Sequence, residues 1–137
     1  MKYSRGMGPV TVAAGLLIDS EGRILITQRA EHKPRGGLWE LPGGKVEQGE
    51  TCADALRREL AEELGVEAEI LGPVGSNLHN YSDVTVELRV FKAKCRQALR
   101  SDPEAIKNVA WVPPEHLPSY SYCPAVLPFI EAAACQV

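Results

Sequence analysis

Apolar and polar positions divide the chain into elements before any chemistry is considered. Val10 to Asp19 (VTVAAGLLID) is almost continuously apolar and predicts a buried strand. Asp19-Ser20-Glu21-Gly22 is a turn signal. Arg23 to Gln28 then alternates, with Ile24 and Ile26 on one face and Leu25 and Thr27 on the other. The two segments read together as an antiparallel hairpin. A long loop rich in Gly, Pro and charge follows, from Ala30 to Gly44. Between Thr51 and Leu64 the period becomes helical: Ala53, Leu56, Leu60 and Leu64 form an apolar stripe. Thr51 caps this helix, with Asp54 three residues on, and Gly65 ends it. Val66 to Leu71 predicts a short strand broken by Gly72-Pro73, and Val74 to Tyr81 a weaker one. Val84 to Cys95 alternates clearly, Arg96 to Lys107 is a polar loop, and Asn108 to Val112 is a short strand. Pro113-Pro114 leads into a turn at Glu115–Leu117. Leu127 to Cys135 predicts a second helix, with Pro128 in its first turn. Residues 1–8 read as a loose leader, and no repeat or linker divides residues 1–137. Strands, helix, strands, helix implies one mixed α/β domain.

Composition narrows the class of protein. With 45% hydrophobic and 24% charged residues, the chain is an ordinary globular sequence, long enough to bury a core without staples. A net charge of −3 argues against a partner such as a nucleic-acid polymer, which selects a basic surface. No apolar run reaches the roughly 20 residues of a membrane span, and the first residues show no signal-peptide pattern. The four cysteines, Cys52, Cys95, Cys123 and Cys135, have no zinc spacing and read as free thiols. A cytoplasmic protein is expected. Monomer and homodimer remain equally open.

The chemistry concentrates in Gly44 to Val66, where five glutamates (Glu47, Glu50, Glu59, Glu62, Glu63) and the pair Arg57-Arg58 fall within 23 residues. Glu59, Glu62 and Glu63 stand at i, i+3 and i+4, on one helical face. Three adjacent like charges destabilise a helix unless cations neutralise them. Hard divalent ions such as Mg²⁺ take carboxylate oxygens and are commonly shared with substrate phosphates. The stretch therefore reads as a metal site.

Its spacing resembles a known signature. Gly44, five residues, Glu50, seven residues, Arg58-Glu59-Leu60, one residue, Glu62-Glu63, one residue, Gly65-Val66 fills every fixed position of the Nudix box. The flanks LITQRA, LWELPGGK and AWVPPEHL resemble the MutT-like branch of that family. The resemblance implies a Nudix fold, an α/β/α sandwich around a mixed sheet. It implies Mg²⁺-dependent hydrolysis of a nucleoside diphosphate linked to another group, with Mn²⁺ as a substitute ion. The preferred small-molecule nucleotide substrate is a (deoxy)nucleoside triphosphate such as 8-oxo-dGTP, giving NMP and pyrophosphate. By the same resemblance Glu59, Glu62 and Glu63 are metal ligands, joined by the Gly43 carbonyl. Arg58 orients the carboxylates, and Glu50 either pairs with Arg58 or reaches a metal through water. Arg29 and Lys45 are phosphate-contact candidates.

Other residues are assigned less directly. Trp39, in the loop before the box, either plugs the core edge or touches substrate. Glu104 is the candidate for an additional metal-binding or base glutamate, although its spacing to Trp111 is one residue long and favours Ala105. Where MutT proteins that read oxidised guanine place Asn or Asp, this chain has Val126, which makes no hydrogen bond to a base edge. Asn77, Asn80 and Tyr81 are alternative polar contacts, and His79 lies near them; His32 and His116 read as surface residues. The rivals are an ADP-ribose or nucleotide-sugar pyrophosphatase and a non-catalytic, regulatory nucleotide-binding Nudix domain.

Overall fold

A computed structural model describes residues 8–96 and 98–135; the leader predicted for residues 1–8 lies almost wholly outside them. The elements are strands β1 (Val10–Leu17), β2 (Ile24–Arg29), β3 (Trp39–Glu40) and β4 (Gly43–Lys45), helix α1 (Cys52–Leu64), strands β5 (Glu69–Asn80), β6 (Thr85–Lys94) and β7 (Ile106–Val112), and helix α2 (Leu127–Ala134). Strands β4-β1-β6-β5 form one sheet and β3-β2-β7 another. The first is mixed, because β1 runs parallel to β6 and antiparallel to β4.

Strands β1 and β2 read as apolar throughout because helices cover both of their faces. Ala13, Leu17 and Leu25 pack with Ala55, Leu56, Leu60 and Leu64 of α1. Ala14, Ile24 and Ile26 pack with Phe129, Ile130 and Ala133 of α2. The strands thus form the middle of three layers, as an α/β/α arrangement requires.

Helix α1 has the expected ends. The Thr51 hydroxyl accepts the Asp54 N–H at 3.0 Å. Gly65 adopts φ 68°, and its N–H returns to the Ala61 carbonyl. The apolar stripe differs by one position: Ala55 is fully buried and Ala53 only half-buried. The surface presented by Ala13, Leu17 and Leu25 sets that rotation.

Several sequence expectations are corrected. β1 and β2 do not form a hairpin; they belong to different sheets, linked by the isolated bridge Ile18↔Ile24. The turn between them is held by Asp19, whose carboxylate accepts the N–H groups of Glu21 and Arg23 and pairs with the Arg23 side chain. Beyond it each strand is claimed by other neighbours. Gly72-Pro73 does not interrupt β5. It sits between two register shifts in an edge strand, where a missing N–H costs no ladder bond. The loop Ala30–Gly44 contains the short strands β3 and β4, and β7 begins at Ile106 rather than Asn108.

Burial separates the two sides of the stability argument. Leu60→Ala empties a fully buried site against β1 and β2 and should cost about 2–5 kcal/mol in urea unfolding. Leu78→Ser, on the exposed edge at 60% accessibility, should stay within about 0.5 kcal/mol of the parent.

Candidate active site

Strand β4 carries the chain from the sheet to the acidic helix. It is held to β1 by the pairs Val12↔Lys45, Ala13↔Gly44 and Ala14↔Gly43. The Gly15 N–H to Pro42 carbonyl bond and the Val46 N–H to Thr11 carbonyl bond fix its ends. This places Gly44 directly over the carboxylate of Glu59, which any side chain at that position would strike. A side chain on Gly43 would strike the Ala13 carbonyl. Gly43 is therefore demanded by close backbone approach, and Gly44 by the seat that the Glu59 carboxylate takes beside it.

Arg58 gathers the acidic groups. Its Nε and Nη2 donate to the two Glu50 oxygens at 2.6 and 2.9 Å, a bidentate pair. Nη1 donates to Glu59 at 3.0 Å and Glu62 at 3.3 Å, and Nη2 also reaches the Lys45 carbonyl at 3.0 Å. Glu47 lies 3.9 Å away, near the limit of an ion pair. The Arg58 bond, reinforced by the Glu47 N–H, lowers the Glu50 pKa to about 2. The same contacts raise the pKa of Arg58. Of the two roles left open for Glu50, the structure shows the pairing.

Glu63 behaves oppositely. Burial, then the negative charges of Glu59 and Glu40, push its pKa up to about 8. Among the described residues no three Asp, Glu, His or Cys side chains are already gathered as a metal cage. The groups nevertheless fit a divalent cation. They are hard carboxylate donors, Gly44 leaves room beside Glu59, and a cation would remove the repulsion expressed at Glu63.

A cavity of about 510 Å³ opens beside these groups. It joins a charged part, with Lys45, Glu47, Glu59 and Glu63, to an apolar part with Val10, Val12, Val84, Val86, Leu88 and Val126. Arg29, Glu40, Arg35, Tyr81 and Cys123 also line it. Arg29, Gly43, Lys45, Tyr81 and Val126 thus stand on the cavity, as their candidacy required. Arg29 is engaged on two sides: Nη1 meets both Glu40 oxygens at 3.3 Å, and Nε donates to the Pro34 carbonyl.

Other candidates are placed elsewhere. Glu104 is exposed in the turn before β7, its N–H bound to Asp102, while Ala105 lines the cavity. Trp39 plugs the core edge: its ring meets Tyr120 at 5.0 Å, and its backbone bonds to Ser121 and Cys123. Asn77 holds the turn before α2 by donating to the Ala125 carbonyl at 3.0 Å. His79 lies against Tyr81, with ring centroids 4.5 Å apart. Glu62 is 60% exposed and touches the cluster through Arg58. His32 and His116 are exposed.

Four lining residues with polar side chains escaped the sequence reading: Lys33, Arg35, Glu40 and Cys123. Glu40 is half-buried and its pKa is raised by burial, opposed by Arg29. The Cys123 thiol lies 3.9 Å from it, with its pKa pushed up to about 12, first by burial. An acid between Trp39 and Leu41 was the one available signal, and it was lost inside a segment read as loop.

The fold and the carboxylate helix define a family. The NUDIX domain profile matches residues 8–132, and the chain belongs to the Nudix family of hydrolases. The CTP pyrophosphohydrolase of Escherichia coli is 35% identical over 85% of each chain. An 8-oxo-dGTP diphosphatase of Proteus vulgaris is 38% identical over 58% of this chain and 71% of its own. The solution structure of the Escherichia coli ORF135 protein superposes with a TM-score of 0.79 at 34% identity, over 92% of this chain and 89% of that one. The MutT protein of Methanosarcina mazei shares the fold, with a TM-score of 0.84 at 23% identity over 95% and 96% of the two chains. Nudix hydrolases generally need divalent metal ions.

The shifts at Glu63 and Glu50 predict opposite pH effects in metal-free protein. Glu63 holds its proton more tightly folded than unfolded, so stability should fall as pH rises from about 4.5 through about 8. Glu50 holds its proton less tightly when folded. Its stabilisation, full above about 4.5, should be lost as pH falls through about 2. Carboxyl-detected NMR in EDTA should give midpoints near 8 for Glu63 and near 2 for Glu50. Glu63→Gln should flatten the alkaline loss of stability in denaturation series.

Proposed function

We propose that the protein is a Mg²⁺-dependent pyrophosphohydrolase of (deoxy)nucleoside triphosphates, with Mn²⁺ as a substitute ion, releasing a nucleoside monophosphate and pyrophosphate. The observation that carries this reading is one cavity that joins the α1 carboxylates to an apolar wall and has Glu40 among its lining residues. A volume of about 510 Å³ suits one mononucleotide.

Glu59, Glu62 and Glu63, with the Gly43 carbonyl, would hold the metal. It would neutralise phosphate oxygens as the P–O bond to the leaving group breaks. Arg58 holds Glu59 and Glu62 in position and is itself anchored by Glu50. Lys45 and Arg29 carry positive charge to the phosphate part of the cavity. The valine-rich wall removes the base from water. Glu40 offers an acceptor to the amino group of cytosine or to the amino and ring N–H groups of guanine. This suits the substrates named for the relatives, CTP and 8-oxo-dGTP. Val126 contributes shape and no hydrogen bond at the base edge. We take the protein to act as one Nudix domain over residues 1–137 in the cytoplasm. Its target is a free nucleotide, since a net charge of −3 disfavours a polyanion.

A panel of 8-oxo-dGTP, the dNTPs, CTP, ADP-ribose and NADH with Mg²⁺ should show triphosphate turnover with pyrophosphate released. Glu62→Gln and Glu63→Gln should keep the circular dichroism spectrum and lose about 10²-fold or more in kcat. Preference for ADP-ribose would move the assignment to that rival. No turnover on any compound would sink the hydrolase reading.

A further inference from the structure

Among the described residues Arg35 is the one non-glycine with a left-handed backbone, at φ 58°. Such a conformation persists where surrounding structure imposes it. Here the loop between β2 and β3 is pinned from several sides. Arg29 Nε donates to the Pro34 carbonyl at 2.8 Å, Gln28 Nε2 donates to the Gly37 carbonyl at 2.9 Å, and Gly36 sits against the backbone of Ala30 and Glu31 with no room for a side chain.

The Arg35 side chain reaches the turn between β5 and β6. Its guanidinium carbon stands 4.0 Å from the centre of the Tyr81 ring, and Nη1 pairs with Asp83 Oδ1 at 2.9 Å. Tyr81 is itself fixed, since its hydroxyl accepts the Ala125 N–H at 2.9 Å and His79 packs beside its ring. Arg35 and Tyr81 both line the cavity, beside Val84 and Ala125. The guanidinium is therefore a flat, propped surface and not a mobile surface charge. Planar cations and aromatic rings both stack on nucleobases.

We propose that Arg35 is a specificity-determining residue of the base site: its guanidinium plane, propped on Tyr81 and tied to Asp83, is the wall against which the nucleobase stacks. Asp83 is a positioning residue that acts through Arg35. The assignment rests on the nucleotide reading above, and it gives Arg35 a role with the base rather than with the phosphates.

The test is calorimetric titration of CTP, 8-oxo-dGTP and base-free inorganic tripolyphosphate into wild type, Arg35→Ala, Arg35→Lys and Asp83→Ala. Ca²⁺ replaces Mg²⁺ so that affinity is read without turnover, which is assayed separately. Arg35→Ala should weaken nucleotide binding about 10-fold while tripolyphosphate binding changes less than about twofold. Arg35→Lys should be nearly as weak as alanine, because lysine keeps the charge and loses the plane. Asp83→Ala should lose less, and add nothing in the double variant with Arg35→Ala. Unchanged nucleotide affinity, full rescue by lysine, or an equal loss for tripolyphosphate would overturn the stacking role. A wild type that binds nucleotide without cleaving it removes the hydrolase reading and leaves the Arg35 comparison standing; one that binds no nucleotide overturns both.

Discussion

The bidentate pair between Arg58 and Glu50 is the contact on which the site depends. It ties the loop after β4 to the middle of α1, 8 residues further along the chain. The same guanidinium reaches Glu59, Glu62 and the Lys45 carbonyl. One rigid, permanently charged fork thus sets the spacing between a strand backbone and a row of acids. Exposed ion pairs usually contribute little to stability, and this one gains its importance from geometry. Gly44 supplies the complementary constraint, since only a bare backbone lets the Glu59 carboxylate lie beneath β4.

Helix α1 serves two demands because its faces differ. Leu56, Leu60 and Leu64 are wholly buried against the strands, which fixes the helix in position and rotation. The opposite side is then free to carry mutually repelling carboxylates. Repulsion becomes visible at Glu63, half-buried between Glu59 and Glu40. A stable mount and a strained acidic face are two sides of the same arrangement, and the core tolerates the second because the first is large.

How well the sequence could be read follows from the range of each interaction. Helix α1, its Thr51 cap and its Gly65 stop depend on residues at most four positions apart, so the pattern announced them. The resemblance of the box carried the carboxylates and Arg58 in the same way. Strand partnership was not legible. Val10–Leu17 and Ile24–Arg29 look like a hairpin locally, yet β6 and β7 claim them. Strands β3 and β4, of two and three residues, are too short to show a period. Pro73 looked like a break because edge position is invisible in one sequence. Glu40 and Arg35 were missed because the cavity draws its lining from segments far apart in the chain, none of which carries a pattern alone.

The parallel pairing of β1 with β6 has an entropic consequence. Thr11 meets Glu87 across 76 residues, so the floor of the cavity forms only when distant parts of the chain have closed on each other. Such closure is entropically costly, whereas the turns of α1 join residues close in the chain. The box carboxylates and Arg58 thus lie in one local segment. The cavity beside them takes its lining from residues far apart in the chain, so it exists only as a product of the completed fold. Substitutions in that scattered lining can therefore accumulate in loops and strand ends without disturbing the carboxylate helix.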